Sequence, residues 1–258
     1  MSGTLGRAQT GFADGERYDR ARPDYPEDAV DALCRHCGIG PGVSTLDLAA
    51  GSGKLTRHLI ARGAAVTAVD PTAGMRAALA ANLPEVTVRE GRAEDIPLAD
   101  GAVQAVCVAQ AFHWFDAPRA LAEIHRVLVP GGALGLLWNV MDRDVEWVDR
   151  LQTLIQTWRG ANPWYAGHTW RQAFDGSPLF APIHHEAYRN RQLVDRDGLR
   201  ARIGSVSFVA SAPADHRERM LDEAVGVAMS TGLDPSRIEI PYRTDVFWTR
   251  SSESPGSV

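Results

Sequence analysis

Lysine is all but missing from this 258-residue sequence: Lys54 is the single one, so nearly all of the 27 basic residues are arginine. Set against 32 acidic residues they leave a formal net charge of −5, which argues against the broad basic face that phosphate-backbone binding needs. Cysteine is scarce too. Cys34, Cys37 and Cys107 are too few and too unevenly spaced for a disulfide framework. Cys34-Arg-His-Cys37 looks like half of a zinc knuckle, but no second Cys/His pair follows at ligand spacing, so no metal site is expected. Long apolar runs are also lacking. The longest, near Ala102–Phe112 and Ala133–Val140, fall short of the roughly 18–20 residues that cross a bilayer. Met1 to Pro26 is polar and mixed in charge, unlike a signal or transit peptide. These absences lead to the expectation of a cytoplasmic protein without a membrane or nucleic-acid partner, working as a monomer or homodimer.

What is present is a full core's worth of apolar residues, 45% of the chain, so a single domain is expected over residues 1–258 with a fraying tail at 251–258. Val43 to Ala49 reads as a buried strand ending in a glycine-rich turn, and Lys54 to Arg62 carries Leu55, Leu59 and Ile60 at helical spacing. Ala64 to Val69 is a second strand. Thr72 is placed to cap a helix reaching Leu83, and Val86 to Arg89 alternates as a third strand. Val103 to Ala109, a helix from Pro118 to Leu128, a stop at Pro130-Gly131-Gly132 and a strand from Ala133 to Val140 complete the pattern. Strands alternating with helices at this spacing predict βαβ units and a parallel sheet covered on both faces.

Past Met141 the rhythm changes. Val145 to Trp158 and Pro213 to Thr231 read as helices, as does Asp197 to Val209, and His184 to Val194 and Ile238 to Thr249 as an antiparallel pair at one sheet edge. The predicted architecture is α/β, a Rossmann-like, mostly parallel sheet of seven strands with a small helical cap drawn from about residues 141–182 and 195–232.

The chemistry starts at Asp47-Leu-Ala-Ala-Gly-Ser-Gly53-Lys54, between the first strand and first helix. Glycines there let the backbone turn tightly and approach a ligand at the helix amino terminus. A nucleoside-triphosphate loop needs Gly at 48 and Ser or Thr at 55, where Leu48 and Leu55 stand. A dinucleotide fingerprint begun at Gly51 needs Gly or Ala where Thr56 stands. Asp47 at the strand end suits a cationic ligand better than a pyrophosphate. An acid at the end of the second strand can accept hydrogen bonds from a ribose, and Asp70 holds that place.

The run Asp47–Gly53, then Val66-Thr-Ala-Val-Asp70-Pro71, Glu90-Gly-Arg-Ala-Glu-Asp-Ile-Pro97, Ala109-Gln-Ala-Phe-His-Trp-Phe-Asp116 and Arg126-Val-Leu-Val-Pro-Gly-Gly132 resembles the class I S-adenosylmethionine-dependent methyltransferases. More narrowly it resembles their small-molecule type 11 branch. The resemblance covers about Tyr18 to Val140 and, more weakly, Tyr242 to Trp248. It departs at Ala49, where the family has the first loop glycine; alanine fits there if φ is negative.

The resemblance implies S-adenosyl-L-methionine as cofactor, with Asp47, Ala49, Gly51 and Gly53 around its methionine end and Asp70 on the ribose hydroxyls. Pro71 and Met75 would flank the adenine, Ala93 and Glu94 meet its amino edge, and Gln110 lie near the transferable methyl. Tyr18 and Arg22, in Tyr18-Asp-Arg-Ala-Arg22-Pro-Asp-Tyr-Pro26, resemble a segment that closes over the cofactor, where Arg22 could hold the methionine carboxylate. Plainer readings stand beside these. Asp47 could cap a helix, Glu94 and Asp95 could be solvated acids, and Met75 could be core.

His113 follows the fourth strand at the ligand-binding end and titrates near neutrality, so it is the candidate general base; structural packing is the other reading. His113 and Trp114, with Trp164, Tyr165 and Trp170, are candidate walls for an apolar or aromatic acceptor. Trp147, Leu151, Leu154 and Trp158 read as an ordinary buried stripe. His184 and His185 alternate to opposite faces of a strand and cannot share a metal. Methyl transfer to a small molecule, with O, N or C as acceptor atom, is the leading expectation. Use of the bound cofactor for cyclisation or rearrangement is the alternative. A nucleic-acid methyltransferase and a non-catalytic cofactor sensor are the remaining readings.

Overall fold

The computed structural model describes residues 21–159 and 170–252. Seven strands form one sheet in the order β3-β2-β1-β4-β5-β7-β6. They are β1 (Ser44–Leu48), β2 (Ala65–Asp70), β3 (Thr87–Glu90), β4 (Val103–Ala109), β5 (Leu128–Met141), β6 (His184–Val194) and β7 (Ile238–Arg250). The helices are α1 (Glu27–Cys37), α2 (Lys54–Ala61), α3 (Ala73–Asn82), α4 (Ala117–Val127), α5 (Glu146–Arg159), α6 (Arg196–Gly204), α7 (Ser207–Ala210) and α8 (Ala214–Met229). The first five strands pair in parallel, β1 between β2 and β4. The last two make the antiparallel edge, with Ser251 N donating to Gly132 O and Asp142 N to Pro241 O at opposite ends of the β5/β7 pair. The chain therefore fills the sheet outward from β1 in one direction and then from β4 in the other. That reversal opens a crevice at the carboxyl ends of β1 and β4, where ligands of open α/β sheets sit.

The chain divides into two compact units. The larger takes in, of the described residues, 25–138, 170–188 and 244–252. In it α1 lays Val30, Leu33, Cys34 and Cys37 against Leu55 and Leu59 of α2, with Ala105, Cys107, Ala133, Leu137 and Val246 beneath. Burial pushes the Cys34 thiol up to about 11 and that of Cys37 to about 12, so both are inert packing groups. The alternate residues of the pleat carry an aromatic cluster: Trp138, Trp170 and Phe247, with Phe112 and Phe174.

The smaller unit takes in, of the described residues, 21–24, 139–159 and 189–243. Its core joins Trp147, Val148, Leu151 and Ile155 of α5 to Leu199 and Ile203 of α6, Met220, Leu221, Ala224, Val225 and Ala228 of α8, and Ile238, Ile240 and Tyr242 of β7. Of the α5 stripe expected from spacing, Trp147 and Leu151 are buried and Trp158 packs partly buried at its end, but Leu154 is only half-buried, and Val148 and Ile155 complete the buried face instead. Among the described residues no helix is long and apolar enough to cross a membrane.

Three local expectations are corrected. The helix before Pro130-Gly131-Gly132 does end, at Val127, but the next strand starts at Leu128 rather than Ala133, so that run lies inside β5, where partners jump from Val103↔Leu128 to Ala105↔Ala133 and a bulge absorbs the proline that cannot donate to the ladder. The helical stretch expected at 197–209 breaks into α6 and α7, because Val206 is extended at φ −72°, ψ 128°. Thr72 occupies the N-cap of α3 without a side-chain bond; its own N–H is instead held by Asp70.

Candidate functional site

At the crevice end of β1, Asp47 is fully buried. One carboxylate oxygen accepts from Thr56 Oγ at 2.6 Å, and the other, Oδ1, is buried with no hydrogen-bond partner. Desolvation by burial is the main force raising its pKa to about 7; the Thr56 hydrogen bond opposes the rise and the nearby Asp70 charge adds to it. The next turn holds a series of left-handed residues, Ala49 at φ 59°, Gly51 at 59° and Gly53 at 89°. Ala49 thus adopts the conformation that its departure from the family glycine was expected to avoid. A Cβ there costs about 1–2 kcal/mol, so the turn imposes a glycine geometry on a residue that is strained in it. A Cβ built on Gly51 meets nothing within 4 Å, whereas one on Gly53 meets Leu79 at 3.0 Å. Gly51 is therefore open to a ligand and Gly53 is closed by helix packing.

Asp70, at the end of β2, ties the loop down. Its Oδ2 accepts from Gly51 N at 2.9 Å and its Oδ1 from Thr72 N at 2.8 Å. Burial raises its pKa, against the lowering effect of these two backbone bonds and of Arg76. Arg76 also donates to the Asp70 carbonyl at 3.1 Å and pairs with Glu90.

The remaining positions divide. Met75 is buried at the start of α3, next to the half-buried Pro71, and Ala93 is buried. Glu94 is not a solvated acid: it accepts from Asp116 N at 2.9 Å and lies 3.7 Å from Arg92. Gln110 has φ 59°, an uncommon conformation for a residue with a side chain, one step beyond β4, and its N–H is anchored on Leu137 O. His113 Nδ1 accepts from the Trp138 indole N–H at 3.4 Å, and its ring lies 5.3 Å from that of Trp114. In the neutral ring this leaves the proton on Nε2. Trp170 is 5% exposed, 4.7 Å from Trp138 and 5.2 Å from Phe247, inside the aromatic cluster. Arg22, in the smaller unit, donates to Ser205 O at 2.8 Å. Tyr18, Trp164 and Tyr165 lie outside the described residues. His184 stacks on Trp248 and His185 on Phe247, on opposite faces of the strand as alternation requires.

A family model for the methyltransferase domain matches residues 46–136, from β1 through β5. A methyltransferase-like protein of Schizosaccharomyces pombe is 32% identical over 234 residues, spanning 89% of this chain and 91% of its own length. The chain belongs to the class I S-adenosylmethionine-dependent methyltransferases, in their type 11 branch. An uncharacterized methyltransferase of Mycobacterium tuberculosis is 49% identical over 140 residues. That match covers 54% of this chain and 55% of the relative, so the chain spans about half the length of such curated relatives. Among solved structures, one from Anaeromyxobacter dehalogenans described provisionally as a type II methyltransferase has a TM-score of 0.63 and 27% identity, over 90% of this chain and 97% of that one. The [4+2]-cyclase SpnF shares the fold at a TM-score of 0.54 and 16% identity, over 91% of this chain and 85% of its own.

The methyltransferase loop presents carboxylate acceptors whose chemistry fits a sulfonium nucleoside. A carboxylate has about four lone-pair sites; Asp70 uses two on backbone N–H groups and keeps acceptor capacity for a diol. Asp47 keeps one buried oxygen unpartnered, which suits a ligand cation or ammonium group. Sequence reasoning missed Thr56, the partner that fixes Asp47, and the double clamp on Asp70. The Thr56 bond and the Gly51 arm of the clamp leave no local pattern, because each joins residues from different elements; the Thr72 arm is a local turn two residues on.

Proposed function

We propose that this chain transfers a methyl group from S-adenosylmethionine to a small-molecule acceptor, releasing S-adenosylhomocysteine. The supporting observation is the buried, half-satisfied Asp47 beside an Asp70-clamped glycine loop, at the point where the strand order reverses. The cofactor, when bound, supplies a carbon made electrophilic by a sulfonium. Asp47, Ala49, Gly51 and Gly53 are assigned to its amino-acid end, Asp70 to the ribose, and Pro71, Met75, Ala93 and Glu94 to the adenine. In-line displacement mainly needs alignment and exclusion of water, and Gln110, His113 and Trp114 follow β4 at the end where an acceptor must reach. His113 is proposed as the general base of the transfer or as an orienting contact for the acceptor. A His113→Ala variant should lose turnover by about tenfold to a hundredfold, and the pH profile separates the roles. A lost acid limb near neutrality marks a base, and an unchanged limb marks an orienting contact.

Calorimetry with S-adenosylmethionine and S-adenosylhomocysteine tests the cofactor assignment. Micromolar binding by the wild type, weakened at least about tenfold in Asp70→Asn, supports it; no binding by the folded wild type overturns it. Asp70→Asn turns an acceptor into a donor facing a backbone N–H, so its melting temperature must be recorded with its affinity. The shared fold of a cyclase keeps non-methyl chemistry as the second reading. Release of S-adenosylhomocysteine in step with product decides between them.

A further inference from the structure

Arg202, on α6, is 7% exposed. Its Nε donates to Tyr242 Oη at 2.8 Å, and the phenol passes its own proton on to Gln192 Oε1 at 3.2 Å. Gln192 in turn is fixed by its amide donating to Ala21 O at 3.2 Å. Every acceptor in this relay is neutral. Nη1 is buried without any hydrogen-bond partner. Neighbouring arginines behave differently: Arg200, two residues away on the same helix, pairs with Asp222 and Glu218, and Arg191 pairs with Glu239. A buried charge left uncompensated costs several kcal/mol, so such groups are normally paired. Arg202 has the burial of an ion pair without the partner, and an oriented guanidinium with donors to spare.

We propose that Arg202 is an anion-binding group of the smaller unit, for the carboxylate of a small organic acid. The guanidinium fork matches a planar carboxylate. One buried positive charge neutralises one carboxylate, whereas a phosphate dianion would leave excess charge in the same place. Tyr242 and Gln192 are positioning residues that hold the fork. The site uses residues of the smaller unit alone and does not rest on the methyl-transfer reading.

The test uses the full chain and titration calorimetry with succinate, inorganic phosphate at matched ionic strength, and the neutral analogue succinamide. Succinate should bind at least about tenfold more tightly than phosphate, and succinamide should not bind. Arg202→Met should abolish succinate binding, Arg202→Lys should weaken it about tenfold by losing the fork, and Tyr242→Phe about threefold by releasing Nε. If Arg202→Met fails to fold, the Lys and Phe variants decide. Absence of wild-type binding, preference for phosphate, or equal succinate affinity in wild type and every folded variant overturns the proposal. A parallel S-adenosylmethionine titration of the same samples reports the cofactor site separately.

Discussion

Buried in β1 with one oxygen unpartnered, the Asp47 carboxyl holds its proton up to about pH 7 instead of the ordinary 3.8. In the unfolded chain it ionises at the ordinary value. Between those two values the folded chain therefore binds the extra proton, and stability falls as pH rises through the window, with the full cost in place above about 7. Asp47→Asn should accordingly melt higher than wild type at about pH 8, by roughly 1–3 kcal/mol, and the gain should vanish toward pH 4. A sulfonium ligand reverses the balance by favouring the carboxylate. S-adenosylmethionine affinity should thus rise with pH up to about 7 with proton release, and Asp47→Asn should weaken it more than S-adenosylhomocysteine. Calorimetry in buffers of different ionisation enthalpy measures the released proton. Pairing with equal loss of both ligands would remove Asp47 from the sulfonium's surroundings.

Among the elements, the β1–α2 junction stores strain. Ala49 sits at φ 59°, and glycine tolerates that region without a Cβ clash. Ala49→Gly removes about 1–2 kcal/mol of strain and adds about 0.5–1 kcal/mol of unfolded-state entropy. A net gain of about 0.5 kcal/mol is expected, read as a rise in the denaturant midpoint at constant slope. A fall in the midpoint would mean that the alanine methyl packs better than its backbone suffers. β5 shows a second junction, where the bulge after Leu128 lets a Pro-Gly-Gly run enter a central strand. Sequence alone reads that run as a boundary, since proline punctuates most ladders, and only the neighbouring β4 reveals that pairing resumes beyond it.

For the whole molecule, binding at the crevice should stabilise by mass action. At a hundredfold excess over the dissociation constant, S-adenosylmethionine should add about 2.7 kcal/mol to unfolding. Hydrogen exchange should slow at the Gly51–Gly53 loop, at Thr72–Met75 and at Gln110 in the larger unit. Protection elsewhere, with these amides unchanged, would place the ligand at another site.

The order of elements, the parallel sheet with its antiparallel edge, the glycine loop and the family were all legible in the sequence. They rest on periodicities of 2 and 3.6 and on turn residues, which are local properties. Asp47 and Asp70 were legible as candidate site residues because an acid at a strand end needs only the strand to be recognised. Their partners were not. Thr56 reaches Asp47 across a turn and into a helix, Asp70 joins the loop of one strand to the end of another, and Trp170 joins an aromatic cluster assembled from four separate segments. Nor does any local pattern separate Arg202 from Arg200. Arg202 is buried beside neutral partners whereas Arg200 is half-buried beside two carboxylates, and burial is fixed only when distant segments pack.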